Sequence, residues 1–117
     1  MNLKNVSNKK FDPYSVEGLR KLASAADDLG EPYLYKQLLE IAANQLESDA
    51  VTKKDVKEAV MLMVFAKTMQ ARKRNAPATN SYIKAAEKLK YKLVIKLEPD
   101  TKKLKMSFEP ITGAERT

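Results

Sequence analysis

The sequence predicts a mainly α-helical domain, a bundle of four to five helices that ends in a C-terminal β-hairpin. Two patterns predict this: apolar residues recur at helical spacing over most of the chain, and they alternate with lysines over residues 91–108. With 117 residues, 44% of them hydrophobic and 32% charged, the chain suits one globular domain. We expect a flexible arm over residues 1–10, a single globular domain over residues 11–109 and a loose tail over residues 110–117.

Turn residues mark the first two helices. Asp12 and Pro13 predict a helix start, and the apolar stripe that follows them continues until Gly30 ends the helix. Pro32 opens a second helix, whose stripe predicts an end near Glu47. Each of these helices therefore has one face suited to a core.

A capping signal marks the third helix. Thr52 and Asp55 form a variant of the capping box, with aspartate in place of glutamate or glutamine. Residues 61–66 are apolar on all sides of a helix, which predicts that this segment is buried. Periodicity leaves two alternatives open, one long helix that reaches Arg74 or two short helices that meet at a tight corner.

The last third of the chain predicts one more helix and two strands. Residues 75–77, which include a proline, interrupt the helical pattern, and an amphipathic helix follows near residues 80–90. Residues 91–98 alternate apolar and polar side chains, residues 99–101 have turn chemistry, and residues 104–108 alternate again. The hairpin should therefore have one apolar face and one basic face.

The composition argues against catalysis and against a membrane span. The chain has no histidine, no cysteine and no glycine-rich phosphate loop, and Asp27 and Asp28 are best explained as a solvated helix end. We therefore expect no enzymatic activity, no cofactor and no metal. The longest apolar run, residues 59–66, is far shorter than the roughly 20 residues of a membrane-spanning helix. Because residues 1–10 are polar and cysteine is absent, we expect a cytoplasmic protein.

Charge is distributed unevenly along the chain. Residues 1–51 carry six basic and eight acidic side chains, a net charge of −2. Residues 52–117 carry sixteen basic and seven acidic side chains, a net charge of +9. Such a charge attracts polyanions, and nucleic acid is the predicted partner. The alternative is that the lysines only keep an exposed surface soluble.

A family resemblance covers residues 52–97. It rests on the spacing of Thr52 and Val56 and on the string RKRNAPATNSYIKAAEKLKYKLVIKLEP. This region resembles lambda-repressor-like (Xre-type) helix-turn-helix domains, a family that includes antitoxin repressors. The resemblance implies a small transcriptional regulator or antitoxin-like repressor that acts as a homodimer on duplex DNA rather than RNA. It also implies a recognition helix in which Lys67 and Gln70 read bases, with residues 72–75 near the phosphates.

Other lysines extend the predicted interface along the fourth helix and the hairpin, because a two-stranded ribbon fits a major groove. The predicted nucleic-acid-binding residues are Lys67, Gln70, Arg72, Lys73, Arg74, Asn75, Lys84, Lys88, Lys92, Lys96, Lys103 and Lys105.

A second class of function is a non-enzymatic protein-interaction adaptor, such as a viral protein or an assembly subunit. It would bind another protein through the apolar residues 61–65 and the hairpin edge. One unbroken helix over residues 52–74 would favour the adaptor and remove the helix-turn-helix interpretation. A corner near residues 61–63, with Lys67 and Gln70 exposed, would favour DNA binding.

Overall fold

Four helices and a two-stranded antiparallel hairpin make up residues 11–111, the part of the chain that the computed structural model describes. This architecture confirms the predicted fold class. The predicted arm and the predicted tail beyond Ile111 lie outside the described residues. The elements are α1 (Val16–Asp28), α2 (Tyr33–Glu47), α3 (Lys53–Ala71), α4 (Asn75–Lys88), β1 (Tyr91–Leu97) and β2 (Leu104–Pro110).

The helices pack as two antiparallel pairs, α1 against α2 and α3 against α4, and α2 also contacts the second pair. The core lies between them and contains mostly alanine and leucine side chains. Fully buried larger side chains come from every helix, since Leu19, Leu38, Met63 and Tyr82 are all enclosed. The small alanines allow the helix backbones to approach closely around these residues.

The start of α1 lies slightly later than predicted. Ser15 is the N-cap, and its Oγ accepts a hydrogen bond from the Gly18 amide at 2.9 Å. Asp12 and Pro13 form the turn before the helix instead, where a carboxylate oxygen of Asp12 accepts a hydrogen bond from the Tyr14 amide. This turn folds tightly over α1, because a Cβ added at Gly18 would lie 1.8 Å from the Asp12 carbonyl oxygen.

The predicted starts of α2 and α3 are confirmed. Pro32 precedes α2, which ends at Glu47. Thr52 caps α3 in a complete capping box: its side chain accepts from the Asp55 amide at 3.2 Å, and the Asp55 carboxylate accepts from the Thr52 amide at 3.0 Å. The hydrogen bond from the Thr52 amide lowers the pKa of Asp55 below its usual value.

α3 is one unbroken helix, so the first of the two alternatives for this segment is correct. The prediction that residues 61–66 are buried was wrong for half of them. Met61 is 70% exposed, Val64 43% and Phe65 51%, whereas Met63 lies fully in the core. The physical reason is that α2 and α4 cover only one side of α3, and no other element within residues 11–111 covers the opposite side.

α4 begins at Asn75, earlier than the predicted start near Asn80. Pro77 therefore lies in the first turn of the helix and does not break it. A proline is tolerated there because the first amides of a helix have no intrahelical acceptor. The helix ends at Lys88, close to the predicted end.

The hairpin pairs Leu93 with Phe108, Ile95 with Met106 and Leu97 with Leu104, which confirms its predicted apolar face. Pairing continues beyond the predicted end of the second strand. β2 extends to Pro110, and the Ile111 amide donates a hydrogen bond to the Lys90 carbonyl at 3.0 Å. The half of the apolar face nearest α4 packs on the core, whereas its outer half is exposed.

Candidate nucleic-acid interface

The turn between α3 and α4 carries three consecutive exposed cations, Arg72, Lys73 and Arg74. Its backbone is a Schellman motif: the Lys73 amide donates to the Gln70 carbonyl at 3.0 Å, and the Arg74 amide donates to the Met69 carbonyl at 2.9 Å. Lys73 takes the left-handed conformation that this motif needs, with φ of 64°. No acidic side chain within residues 11–111 pairs with any of the three cations, so their charges face solvent uncompensated.

The same turn leads into the N-terminus of α4. Arg74 occupies the N-cap position, and no side chain caps the helix there. The first amides of a helix and its macrodipole both carry partial positive charge, and here they add to the charge of the turn. Asn75, the first residue of α4, is exposed beside them. An anion such as a phosphate would therefore be attracted to this corner of the molecule.

The hairpin extends towards the same end of the molecule. β1 starts at the C-terminal end of α4 and packs back along it, and Met106 of β2 lines a groove of about 240 Å³ with Gln70, Asn75 and Thr79. Met106 pairs with Ile95 in the middle of the hairpin and lines this groove beside the first residue of α4, so the hairpin residues beyond that pair lie towards the turn at residues 72–74. We call the turn and the outer hairpin together the basic end: Arg72, Lys73, Arg74, Lys96, Lys102, Lys103 and Lys105.

The outward face of the hairpin is basic, but part of its charge is compensated. Lys96 lies opposite Lys105, and the Lys96 ammonium is 3.5 Å from a carboxylate oxygen of Glu109. Lys92 lies opposite that same glutamate. Lys103 and Lys105 are exposed and make no ion pair with another described residue. The tip also carries the exposed carboxylates of Glu98 and Asp100, so residues 91–110 contain five basic and three acidic side chains and have a net charge of +2.

The two residues predicted to read bases make intramolecular contacts instead. The Lys67 ammonium lies 2.8 Å from a carboxylate oxygen of Glu31 and 4.4 Å from the centre of the Tyr35 ring. The Gln70 side-chain oxygen accepts a hydrogen bond from the Tyr82 hydroxyl at 3.0 Å. Burial, with smaller effects from Tyr35 and Glu31, raises the pKa of Tyr82 to about 12. Lys67 and Gln70 thus hold α3 to its neighbours.

Comparison of the chain with protein-family models, with curated proteins and with solved structures finds no match. The resemblance of residues 52–97 to Xre-type domains stays a prediction, but the unbroken α3 lacks the corner near residues 61–63 on which the helix-turn-helix interpretation depends. No helix among the described residues is long and apolar enough to cross a bilayer.

Three predicted lysines lie away from the basic end, namely Lys84, Lys88 and Lys92, the last of which is the second residue of β1. Lys84 lines a separate groove between α3 and α4, beside Phe65, and the Lys88 ammonium lies 3.2 Å from a carboxylate oxygen of Glu58 on α3. Lys102 belongs to the basic end but was not predicted, because the alternation of side chains singles out strand residues and Lys102 lies in the connecting turn. Its left-handed backbone, with φ of 61°, helps to reverse the chain there.

Proposed function

We propose that this chain binds nucleic acid through phosphate contacts made by the basic end. The observation that carries the proposal is that exposed cations from two separate elements, the turn at residues 72–74 and the outer hairpin, lie towards one end of the molecule, and that the three cations of the turn make no ion pair with a described residue. Each such cation that meets a phosphate releases a condensed counterion and so contributes affinity. The net charge of +9 on residues 52–117 strengthens the attraction over distance.

The geometry favours duplex DNA over duplex RNA. A two-stranded ribbon fits the major groove of B-form DNA, whereas the major groove of A-form RNA is too deep and narrow to admit it. The lysines on the outward hairpin face would then contact phosphates along the groove, and the turn would contact the backbone beside it. Since Lys67 and Gln70 are engaged within the fold, the proposal includes no base reading by α3.

Roles that need base reading, namely transcriptional regulator and antitoxin-like repressor, stay predictions of the sequence resemblance, as does the homodimer. Phosphate binding by the basic end requires neither. It also differs from the helix-turn-helix mode, because α3 has no corner near Met61 and Lys67 is paired with Glu31. Gln70 is exposed, but its side-chain oxygen is bonded to the Tyr82 hydroxyl.

The test is a salt titration of binding to a fluorescent random-sequence duplex of about 20 base pairs, followed by anisotropy between about 50 and 300 mM salt. With five or six phosphate contacts, the logarithm of the affinity should fall against the logarithm of the salt concentration with a slope of about −5. Arg72→Glu combined with Arg74→Glu should reduce the magnitude of that slope by about 2. A duplex RNA of the same length should bind more weakly.

The matched control is Lys21→Glu combined with Lys54→Glu, which changes the net charge equally but lies on α1 and at the start of α3. It should leave the slope nearly unchanged. Equal losses in both double variants would mean that only net charge matters, which would contradict a defined interface. Affinity that does not respond to salt would contradict phosphate binding altogether.

A second candidate function is the protein-interaction adaptor. Two observations support it: α3 is continuous through residues 61–66, and it leaves three large apolar side chains in solvent, those of Met61, Val64 and Phe65. Contiguous exposed apolar surface on a folded protein is typical of a site for another macromolecule. This surface and the basic end are different parts of the molecule, so the two functions do not exclude each other.

A further inference from the structure

The outward side of α3 carries a compact apolar strip. Met61, Val64 and Phe65 follow the i, i+3, i+4 spacing that places side chains on one face of a helix. All three are more than 40% exposed, although residues before and after them on the same face are charged or polar. We call these three residues the α3 strip.

A groove adjoins the α3 strip where α4 packs alongside. It has a volume of about 280 Å³, and Leu62 and Phe65 form one wall while Pro77, Asn80 and Lys84 of α4 form the other. Ser81 also lines it, but its hydroxyl donates a hydrogen bond to the Leu62 carbonyl at 2.7 Å and is therefore satisfied. The groove thus combines apolar walls with an amide and an ammonium group at one side.

Positive charge surrounds the α3 strip and its groove. Lys54 lies two turns before Met61 on the same face, and Arg72 lies two turns after Phe65. Lys57 lies one turn before Met61, with its ammonium 5.4 Å from the centre of the Tyr14 ring. Lys84 is exposed at the groove and makes no ion pair with another described residue. Two carboxylates also lie nearby: that of Glu58 is compensated by Lys88, whereas exposed Glu87 follows Lys84 by one helical turn. An apolar centre with a basic rim is complementary to a partner that is apolar and acidic.

We propose that the α3 strip and its groove bind an acidic amphipathic helix of a partner protein. This inference rests on the second candidate function above and is independent of nucleic-acid binding. Apolar side chains of the partner, one helical turn apart, would pack against Phe65 and Leu62. Carboxylates beside them would meet Lys84 and the lysines at the start of α3, which sets the orientation of the bound helix.

Charge argues against the other occupants. Residues 1–10 contain three lysines and no acid, so this segment would be repelled by the rim, and residues 112–117 contain one acid and one base. A second copy of the chain, packed face to face, would bring one basic rim against another. A membrane surface could neutralise the rim, but a groove between two helices suits an inserted side chain better than a planar surface.

The test is selection of peptides of about 16 residues, long enough as helices to span about 24 Å, from a random display library on the full chain. We expect the recovered peptides to have net negative charge and apolar residues at i, i+3 or i+4, and i+7. The best peptide, made synthetically, should bind at least about tenfold more weakly to Phe65→Ser and to Lys84→Glu, measured by calorimetry.

Matched controls are Leu97→Ser on the exposed outer hairpin and Lys21→Glu on α1, which make the same chemical changes away from the α3 strip. Both should leave peptide affinity unchanged. Neutral or basic peptides that depend on Phe65 would overturn the acidic partner while leaving the adaptor function standing. Recovery of no peptide that depends on Phe65 would overturn both. Self-association, or binding to anionic vesicles, that is lost in Phe65→Ser would identify a different occupant and overturn the proposal.

Discussion

The contacts of Lys67 lead to a prediction that separates a structural role from a binding role. Lys67 pairs with Glu31 and lies over the ring of Tyr35, so it connects α3 to α2 and to the connection between α1 and α2. Its side chain is only 28% exposed and that of Glu31 only 26%. We expect Lys67→Met to lower the free energy of unfolding and to leave affinity for DNA unchanged.

The expected loss is about 1.5 kcal/mol. An ion pair near the surface contributes about 0.2–1 kcal/mol, and a cation over an aromatic ring contributes about 0.5–1 kcal/mol. Partial burial raises the total, because the variant leaves the Glu31 carboxylate half-buried without its cation. Methionine keeps most of the apolar stem, so the measured loss reports mainly on charge. Urea denaturation measures it, and the melting temperature should fall by about 6 °C.

Lys84→Met is the control, because Lys84 is exposed and has no ion pair with a described residue. Its free energy of unfolding should change by less than about 0.5 kcal/mol. A double-mutant cycle with Glu31→Gln should assign most of the Lys67 effect to their interaction. Unchanged stability in Lys67→Met, together with weaker DNA binding, would refute the structural role and indicate that Lys67 contacts DNA.

Three further outcomes follow from the backbone and from Tyr82. Gly18→Ala should destabilise the fold by about 2 kcal/mol in urea denaturation, because the new Cβ would lie 1.8 Å from the Asp12 carbonyl oxygen; unchanged stability would contradict this tight turn. Lys73 has a left-handed backbone that glycine adopts without steric cost, so Lys73→Gly should raise the free energy of unfolding by about 0.5–1 kcal/mol while weakening DNA binding. Lys73→Arg keeps the side-chain charge and the backbone cost, so it should change neither quantity. Burial raises the pKa of Tyr82 from 10.0 to about 12. The protonated Tyr82 therefore makes its full contribution to the free energy of unfolding below pH 10 and loses it as pH rises towards 12. Denaturation across that range should show a shallower loss in Tyr82→Phe, and identical pH profiles would contradict the assignment.

Local signals in the sequence predicted most of the fold. The capping box at Thr52 and Asp55 involves residues three positions apart, so it can be identified before any tertiary structure is known. The alternation in residues 91–98 likewise depends only on strand geometry, and the register confirms the faces it predicts. Pro77 shows the weakness of such signals, since proline is equally typical of a helix break and of a first turn.

The burial of α3 could not be predicted because its apolar run has no period. A run that is apolar on every side fits a buried helix, but it also fits a helix with one face in the core and another exposed for a partner. Which of these holds depends on where the other elements pack, and here they cover Met63 and leave Phe65 in solvent. Pattern alone carries no information about that choice.

The sequence predicted the charge of the candidate interface but not which of its cations form ion pairs within the fold. The turn at residues 72–74 is exposed, as its composition indicates. The ion pair between Lys67 and Glu31, however, joins residues that are 36 positions apart in the chain. No sequence pattern links such residues, and the choice of which lysines remain available for a ligand is made by the tertiary fold.

Arg72 connects the two proposed sites, and this connection leads to a last prediction. It belongs to the basic end, and it also lies two turns after Phe65 on the outward side of α3. An acidic helix bound to the α3 strip would neutralise part of the field that Arg72 presents to a phosphate. Coupling between two ligands is reciprocal, so each should weaken the binding of the other by the same factor. We expect a saturating acidic peptide to lower DNA affinity several-fold at about 50 mM salt and much less at about 300 mM, where the Debye length is shorter. Anisotropy titrations with and without the peptide measure this factor. In Arg72→Gln both ligands should still bind, but the factor by which the peptide lowers DNA affinity should be smaller. An unchanged factor in that variant would mean that Arg72 does not couple the two sites.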